Sequence, residues 1–400
     1  MATDIERIKE ALGDIGASKT IFALVTPETE ETKNKVFDGD LRKKLEHLVS
    51  AGGSLTDIDA VIKTVHKARA EYFDDFREAW TQKQDKMHED FFKTWLQWSS
   101  PISPINAEDF KYQYPTAGAS EAIRTIIDEY GNRAREKKID PQIFLFNGEY
   151  EGYQAFADAA HINVTKVNRS DWHEMVDKVA AASKDKPVQI YLSQPSAIDG
   201  NVWPDYDKFM HELAKKAPKA EVILDLTYVG CVPKEFKVNT DHPNIQAITF
   251  SLSKPMGAYY DRIGGVLAKA KEGSDPTRGP YPSLFGNMWF KNLTSMKIGT
   301  QFMKDHGVFD MPRKYAPIQQ KAMERVSSNS NGEFPALKPS DVYLLATTEM
   351  PKQPGDLARY LERVDADGKP QLRICLTPMM AEMIGTAKTH AVTPRNYERL

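Results

Sequence analysis

Short apolar runs alternate with amphipathic stretches through the middle of this 400-residue chain, and this alternation constrains the fold more than any other feature of the sequence. Each run has the length of a strand, and each stretch between two runs is long enough for a helix. Strands that alternate with helices form βαβ units and a mainly parallel sheet. The sequence therefore predicts an α/β fold with strands at Ile143–Phe146, Val164–Val167, Gln189–Leu192, Glu221–Leu226, Ala247–Leu252 and Gly264–Ala268.

The regions before and after this alternation have a different pattern. In the first hundred residues, apolar side chains recur at three- and four-residue spacings, which indicates helices. These side chains are Ile58, Val61, Ile62, Val65, Tyr72, Phe73, Phe76 and Trp80. Towards the C-terminus, the runs Val342–Ala346 and Leu372–Leu376 predict two strands of a smaller α+β unit. We expect an N-terminal helical region (1–104) that contributes in part to the small domain, a large domain (105–300) with helices flanking its sheet, and a C-terminal small domain (301–400).

Composition excludes several classes of protein. Lys and Arg number 53 against 56 Asp and Glu, which gives a net charge of −3, whereas a protein that binds the nucleic-acid backbone has a basic excess. No apolar run approaches the roughly 18 residues that span a bilayer. The chain has two cysteines, not arranged as CxxC, and an N-terminus without the apolar core of a secretory signal. We expect a cytoplasmic protein without nucleic-acid or membrane partners.

Several common site motifs are absent. The sequence has no GxGxxG, no GxxxxGK[ST] and no HExxH, so a dinucleotide site, a P-loop and a zinc site are not supported. We predict no metal. The segment Gly118–Ala122 approaches the GxSxG nucleophile elbow, but its last residue is alanine and no predicted strand comes directly before it. A hydrolase is therefore not supported either.

The segment Ser251–Gly265 contains a spaced set of chemistry-bearing residues. Lys254 follows Ser251 by three residues and Arg262 follows it by eleven, just before two glycines. This pattern resembles the lysine motif of the class I/II, fold-type I, pyridoxal-phosphate (PLP) aminotransferases. The resemblance implies that Lys254 forms a Schiff base with PLP and that Ser251 and Arg262 bind its phosphate. Without Arg262 and the glycines, a lysine in a solvated loop would be the better interpretation.

A second segment, Glu221–Tyr228, reads as a buried strand that ends in a carboxylate. An acidic residue at the carboxyl end of such a strand can reach a ligand at the edge of an open α/β sheet. The pair Asp225 and Tyr228 is similar to the D-x-x-Y motif of the same family. The resemblance implies that Asp225 pairs with the pyridine nitrogen and that Tyr228 donates to the phenolic oxygen of PLP. Each residue alone would be read as a turn cap or as core.

A third segment, Tyr114–Ile123, is similar to the GxxEAI sequence of the family. The small residues Gly118, Ala119 and Ser120 come at the start of a predicted helix, where main-chain N–H groups and the helix dipole favour an anion. The resemblance implies that these three residues bind the PLP phosphate. Ser120 is also a suitable N-cap for that helix.

Two more segments complete the resemblance. Asn147–Ala160 is similar to the P-x-Y-x-x-Y stretch, which implies that Tyr150 stacks on the pyridine ring, although packing of a loop tyrosine is an alternative. The run Leu372–Leu376 resembles the small-domain motif whose arginine binds the substrate α-carboxylate, which implies that role for Arg373. A strand arginine among apolar residues is uncommon unless it is paired.

The chain departs from the family in one motif. The family has N-P-x-N-P-T-G after the strand that here is Gln189–Ser193, and in that register Ala197 replaces the asparagine that hydrogen-bonds the phenolic oxygen. Gln194 and Asn201 are the candidates to substitute for it, and the sequence does not distinguish them.

The resemblance, which runs from about Tyr114 to Arg373, implies a homodimeric PLP-dependent aminotransferase. It would act on an amino acid and a 2-oxo acid through a quinonoid intermediate, with Lys254, Asp225 and Tyr228 as catalytic residues. The first alternative is a lyase, cyclase or oxidase on the same fold, because these reactions begin with the same deprotonation. The second is a catalytically inactive binding module, which the intact lysine argues against.

The substrate side chain is not defined by the sequence. Glu149 and Glu151 flank Tyr150, and Asp199 lies in another predicted site loop, so a cationic amino acid is conceivable. Solvated loop charges are the favoured interpretation of all three.

Overall fold

The computed structural model describes residues 4–38, 41–67, 85–287, 293–334 and 336–386. The strands are β1 (Tyr112–Thr116), β2 (Gln142–Phe146), β3 (Asn163–Val167), β4 (Val188–Ser193), β5 (Glu221–Asp225), β6 (Ile245–Ser251), β7 (Gly264–Ala268), β8 (Lys338–Pro339), β9 (Leu345–Glu349), β10 (Glu362–Val364) and β11 (Pro370–Cys375). The helices are α1 (Asp4–Asp14), α2 (Pro27–Asp38), α3 (Leu41–Ser50), α4 (58–67), α5 (Asp85–Ser99), α6 (Ala119–Glu136), α7 (Glu151–Ala159), α8 (Trp172–Ala182), α9 (Tyr206–Lys216), α10 (Pro282–Asn287), α11 (Leu293–Asp305), α12 (Asp310–Tyr315), α13 (Gln319–Asn329), α14 (Asp356–Leu361) and α15 (Thr377–Met383).

The central sheet has seven strands in the order β1-β7-β6-β5-β4-β2-β3. The strands from β6 to β3 run parallel, whereas β7 is antiparallel to both of its neighbours. Helices cover both faces of the sheet. Since alternate residues of each strand point to opposite faces, they pack against different helices. On β2, for example, Ile143 and Leu145 pack with residues of α6 and α7, while Phe144 and Phe146 pack with residues of α8 and α9. The prediction of a mainly parallel sheet flanked by helices is confirmed.

The edge strand β1 is the one strand of this sheet that the sequence analysis did not predict. It pairs antiparallel with β7 and contains Pro115, which lacks the N–H of an ordinary strand residue. Proline is accepted on an edge strand, where one side of the backbone needs no partner, but it weakens the sequence signal. The statement that no strand comes directly before Gly118 is therefore wrong.

A second sheet has four antiparallel strands in the order β10-β11-β9-β8. The predicted strand Leu372–Leu376 is confirmed as β11, whereas the strand predicted over Val342–Ala346 is displaced, because β9 begins only at Leu345. The residues before Leu345 are apolar because they are buried in a turn, in which the Leu345 N–H donates to the Val342 carbonyl. The apolar residues of this buried turn were thus misinterpreted as part of a strand.

The predicted helical character of the N-terminal region is confirmed in its described part. Within α4, Ile58 and Ile62 are largely exposed to solvent. The aromatic part of the predicted stripe, Tyr72 to Trp80, lies outside the described residues. In the described ranges, no helix is both long enough and apolar enough to cross a membrane.

Candidate functional site

The predicted site residues gather at the carboxyl ends of the parallel strands. Asp225 is the last residue of β5 and pairs in register with Ser193, the last residue of β4. Ser251 ends the next strand, β6, and the connection from there to β7 carries Lys254 and Arg262. Parallel strands that end at one edge place their following residues close together, and this edge is where ligands bind in open α/β sheets.

Three of the five residues predicted to bind the phosphate, Gly118, Ser251 and Arg262, lie close together. A Cβ added to Gly118 would lie 2.8 Å from Arg262 Nη2 and 3.5 Å from Ser251 Oγ. Gly118 has a φ of 88°, in the region that favours glycine, and the neighbouring Gly264 lies directly against its Cα. Arg262 Nη2 also donates to the Ala117 carbonyl over 2.6 Å, which fixes the guanidinium at this place.

The helix beside these residues, α6, begins at Ala119, and its N-cap is Gly118 rather than Ser120. The alternative role of Ser120 as N-cap is therefore wrong. Its hydroxyl lies 3.0 Å from the hydroxyl of Tyr150. Tyr150 is 39% exposed, and its ring packs edge-on against Tyr153.

Asp225 is a buried carboxylate with partners for both oxygens. Oδ1 accepts from the Thr227 N–H at 3.0 Å and from its hydroxyl at 2.6 Å, and Oδ2 accepts from the Tyr153 hydroxyl at 3.0 Å. Burial raises the pKa of Asp225, while these hydrogen bonds oppose the shift. A cation that enters the site would be stabilised by this carboxylate, since a buried charge requires a partner.

The Lys254 side chain is largely enclosed, and burial lowers the pKa of its amine to about 8. The positive charges of Arg262 and Arg373 contribute in the same direction. Lys254 Nζ donates to the main-chain carbonyl of Ile21, in the extended segment between α1 and α2, and lies 5.6 Å from the centre of the Tyr259 ring. Most of the amine is still protonated at physiological pH, but the lowered pKa gives it a much larger neutral fraction than an ordinary lysine, and the neutral amine is the form that acts as a nucleophile or a general base.

Arg373 lies on β11 and is 7% exposed. Its Nη1 donates to the Ala197 carbonyl, while its Nε has no hydrogen-bond partner in the described part of the chain. Burial raises the pKa of Tyr228, and the positive charge of Arg373 opposes this rise. The small sheet therefore brings a guanidinium with an unused donor to the edge of the central sheet.

The two candidates to replace the family's asparagine are both engaged elsewhere. The Gln194 side chain donates to the Trp203 carbonyl at 3.1 Å and accepts from the Trp203 N–H at 3.0 Å. Asn201 Oδ1 accepts from the Asp341 N–H at 2.9 Å. Ala197 itself lies beside Arg373, whose Nη1 donates to its carbonyl.

The sequence analysis assigned no role to several residues that the structure brings to this edge. Tyr153 and Thr227 bind Asp225, and the second tyrosine of the Y-x-x-Y stretch was the signal that pointed to Tyr153. Glu149 was interpreted as a solvated charge, which is wrong, because it is buried and bonded to Ser193. Glu151 is exposed and pairs with Arg363, which agrees with that interpretation.

Asp199, in the other predicted loop, also proves not to be a solvated charge. Its Oδ2 lies 2.6 Å from Arg169 Nη2, and both side chains are largely buried. Arg169 therefore neutralises the charge of Asp199, and Asp199 gives no support for a cationic substrate.

The donor set fits PLP as a ligand. The space between Gly118, Ser251 and Arg262 offers main-chain N–H groups, a hydroxyl and a guanidinium, which together suit a phosphate. Asp225 suits a protonated ring nitrogen, and Lys254 is the amine that such an aldehyde requires. The polar groups that the ligand would need are therefore present at one edge of the sheet.

Comparison with known proteins agrees with this geometry. Residues 128–303 match the family model described as aminotransferase class I and II. No match was found among curated proteins.

Solved structures with this fold include proteins of different activities. One is the histidinol-phosphate aminotransferase from Clostridium acetobutylicum, 14% identical, with a TM-score of 0.50 over 76% of this chain and 88% of the other. Another is the PLP-bound C-S lyase from Staphylococcus hominis, 12% identical, with a TM-score of 0.53 over 75% and 82%. A third is the L-threonine-O-3-phosphate decarboxylase from Porphyromonas gingivalis, 12% identical, with a TM-score of 0.50 over 76% and 88%. The resemblance that the motifs carry is confirmed: the chain has the fold of the fold-type I PLP enzymes and matches, over residues 128–303, the class I and II aminotransferases, a family whose cofactor is PLP.

Proposed function

We propose that this protein is a PLP-dependent aminotransferase that transfers the amino group of an amino acid to a 2-oxo acid. We further propose that it acts in the cytoplasm as a homodimer. When bound, PLP supplies an electron sink for the negative charge that develops at the substrate Cα. The residues around Asp225 and Lys254 would hold the cofactor, orient the substrate and move the proton.

The cofactor would be bound at two ends. Gly118, Ala119, Ser120, Ser251 and Arg262 hold the phosphate through N–H, hydroxyl and guanidinium donors.

At the other end, Asp225 keeps the ring nitrogen protonated, because a buried cation beside a buried carboxylate is stabilised by it. Tyr150 covers one face of the ring, and Tyr228 donates to its phenolic oxygen. Thr227 and Tyr153 position Asp225 for this contact.

Lys254 would act twice. As a neutral amine, Nζ would hold the cofactor through its aldehyde group with loss of water, and once the substrate amine had taken its place, Nζ would accept the proton from the substrate Cα and give it back at the end of the transfer. A pKa of about 8 suits both steps, because the free base is present near neutral pH and its conjugate acid still gives up the proton.

Arg373 would position the substrate. Its free Nε and the rest of the guanidinium can bind the α-carboxylate with two parallel hydrogen bonds, which fixes the direction of the Cα–H bond relative to the cofactor ring. The observation that carries the proposal is that the half-buried Lys254, after β6, and the buried Arg373, on β11, lie in one site, near enough for the charge of the arginine to act on the pKa of the lysine.

The test is a half-reaction on the cofactor-loaded protein. A panel of amino acids is added without an acceptor, and the visible spectrum is followed together with the products. We expect one 2-oxo acid for each cofactor converted to its amine form, and recovery of the original spectrum when a 2-oxo acid is added. Conversion that goes no further without an acceptor separates transamination from reactions that release ammonia continuously.

A second candidate is a lyase, cyclase or oxidase of an amino acid. The observation in its favour is Ala197, which in the family register stands where the aminotransferases have an asparagine, while the side-chain amide of Gln194 is bound to Trp203. Continuous release of ammonia, of a side-chain fragment or of hydrogen peroxide without a 2-oxo acid would favour this candidate and contradict transamination.

A further inference from the structure

Glu149 is a buried carboxyl group in the site for which the proposed function has no use. It follows β2 and precedes Tyr150, and its side chain is 7% exposed. Oε2 accepts a hydrogen bond of 2.6 Å from the Ser193 hydroxyl. Oε1 is buried and has no hydrogen-bond partner among the described residues. An unpaired charged oxygen in such a place would be costly, so a neutral, protonated carboxyl is favoured.

The hydrogen bonds of Ser193 connect Glu149 to the position of the missing asparagine. The Ala197 N–H donates to Ser193 Oγ over 2.7 Å, and Ser193 Oγ donates to Glu149 Oε2. Because Oε2 already accepts this proton, the proton of a neutral Glu149 belongs on Oε1. Glu149, which is connected to Ala197 through Ser193, is thus a potential hydrogen-bond donor. The amide of Gln194, in contrast, is bound to Trp203.

Charged and titratable groups from three other elements face Glu149. Burial raises its pKa to about 7, and the negative charge of Asp225 on β5 adds to the rise. The hydrogen bond from Ser193 and the positive charge of Arg169, at the start of the turn before α8, oppose it. The hydroxyl of Tyr153 on α7 interacts with both carboxyl groups and stays protonated, because burial raises its pKa well above the usual value.

We propose that Glu149 is a positioning residue that sets the pH at which the bound cofactor loses its proton, acting through its own charge and through Ser193 and Asp225. The proposal rests on the proposed binding of PLP at this site. Below neutral pH the carboxyl is neutral and available as a donor at Oε1. Above it, the carboxylate adds a negative charge beside Asp225, and a negative charge stabilises the protonated form of a nearby cofactor.

The test is a pH titration of the visible absorption band of the cofactor-loaded protein. Glu149→Gln keeps the size and the hydrogen bond to Ser193 but can never become negative, so we expect the midpoint of the band to fall by about one pH unit. Glu174→Gln is the matched control, because Glu174 is an exposed glutamate paired with Lys178 on α8. It should leave the midpoint unchanged.

Ser193→Ala provides a second variant in case Glu149→Gln does not fold. Without the hydroxyl donor the carboxylate is harder to form, so the midpoint should again fall, by less than in Glu149→Gln. Midpoints equal to that of the parent in both variants, or in Ser193→Ala alone where only it folds, would overturn the role of Glu149 and leave the proposed function intact. A parent protein that shows no cofactor band would overturn the proposed function and this inference with it.

Discussion

The hydroxyl of Tyr153 donates a hydrogen bond of 3.0 Å to Oδ2 of Asp225, and both groups are buried at the carboxyl end of β5. Tyr153 lies in the first turn of α7 and Tyr150 is the N-cap of the same helix, so the aromatic ring proposed to cover the cofactor and the support for its ring-nitrogen partner are positioned together. The carboxylate is thereby held in one orientation before any ligand arrives. Such support is how a site keeps a reactive geometry.

Removal of the Asp225 carboxylate should lower the activity far more than removal of the Tyr153 hydroxyl that supports it. Asp225→Ala leaves the ring nitrogen without a counter-charge, a loss of roughly 3–5 kcal/mol, so kcat/KM should fall by about a hundredfold or more. Tyr153→Phe removes one hydrogen bond to a charged group and should cost about tenfold. Steady-state kinetics of the two variants, with the cofactor spectrum as a check on binding, measure this order. Equal activities of Asp225→Ala and the parent would place the partner of the ring nitrogen elsewhere.

The phosphate site can be tested by comparing PLP with pyridoxal, which lacks the phosphate. Arg262→Ala should weaken PLP binding by roughly 1.5–3 kcal/mol, because it removes a charge-assisted hydrogen bond. Gly118→Ala should act in the same direction, since its Cβ would lie 2.8 Å from Arg262 Nη2 and its φ is positive. Pyridoxal affinity should change little in either variant. A parallel loss for both ligands would indicate a general distortion instead of a phosphate contact.

Arg373→Ala should lower kcat/KM for all α-amino acids by one to two orders of magnitude. The reason is the loss of a hydrogen-bonded ion pair worth roughly 1.5–3 kcal/mol with a carboxylate that every such substrate has. Simple amines, which lack that carboxylate, should react with the parent and the variant at similar rates. If the variant discriminates between amino acids and amines as the parent does, the carboxylate is bound by another residue.

The raised pKa of Glu149 predicts a specific pH dependence of the free energy of unfolding of the cofactor-free protein. Its pKa is about 7 in the folded state against 4.5 for the unperturbed group, so between these values the folded state retains a proton that the unfolded state has lost. The free energy of unfolding of the parent should therefore fall, relative to Glu149→Gln, by up to about 3 kcal/mol as the pH rises from 4.5 to above 7. Urea denaturation at a series of pH values measures the difference. Parallel profiles for the two proteins would show that Glu149 does not titrate in this range.

The sequence predicted the fold well where the signal was local. Six of the seven central strands follow from short, mainly apolar runs between Ile143 and Ala268, because helices cover both faces of the sheet and favour apolar residues on both sides of most strands. β1 was missed because Pro115 breaks that pattern on an edge strand. The division of the chain into three regions at 104 and 300 stays a prediction.

The site was less predictable because its parts come together through contacts between distant segments. The spacing of their motifs was enough to find Lys254, Asp225 and Arg262. The contact of Lys254 with the Ile21 carbonyl could not be predicted, because it involves a main-chain group that every residue has. The burial of Glu149 depends on Ser193, which is 44 residues away. A carboxyl group in a loop looks the same in a sequence whether it faces water or the interior.

The most direct test of the account is borohydride reduction of the cofactor-loaded protein, followed by mass mapping of its peptides. We predict one reduced cofactor per chain, attached to Lys254, and none in Lys254→Arg. Because only the neutral amine attacks the cofactor, the rate of loading should rise with pH around a midpoint of about 8. Attachment to a different lysine, or a parent protein that takes up no cofactor, would contradict the central claim.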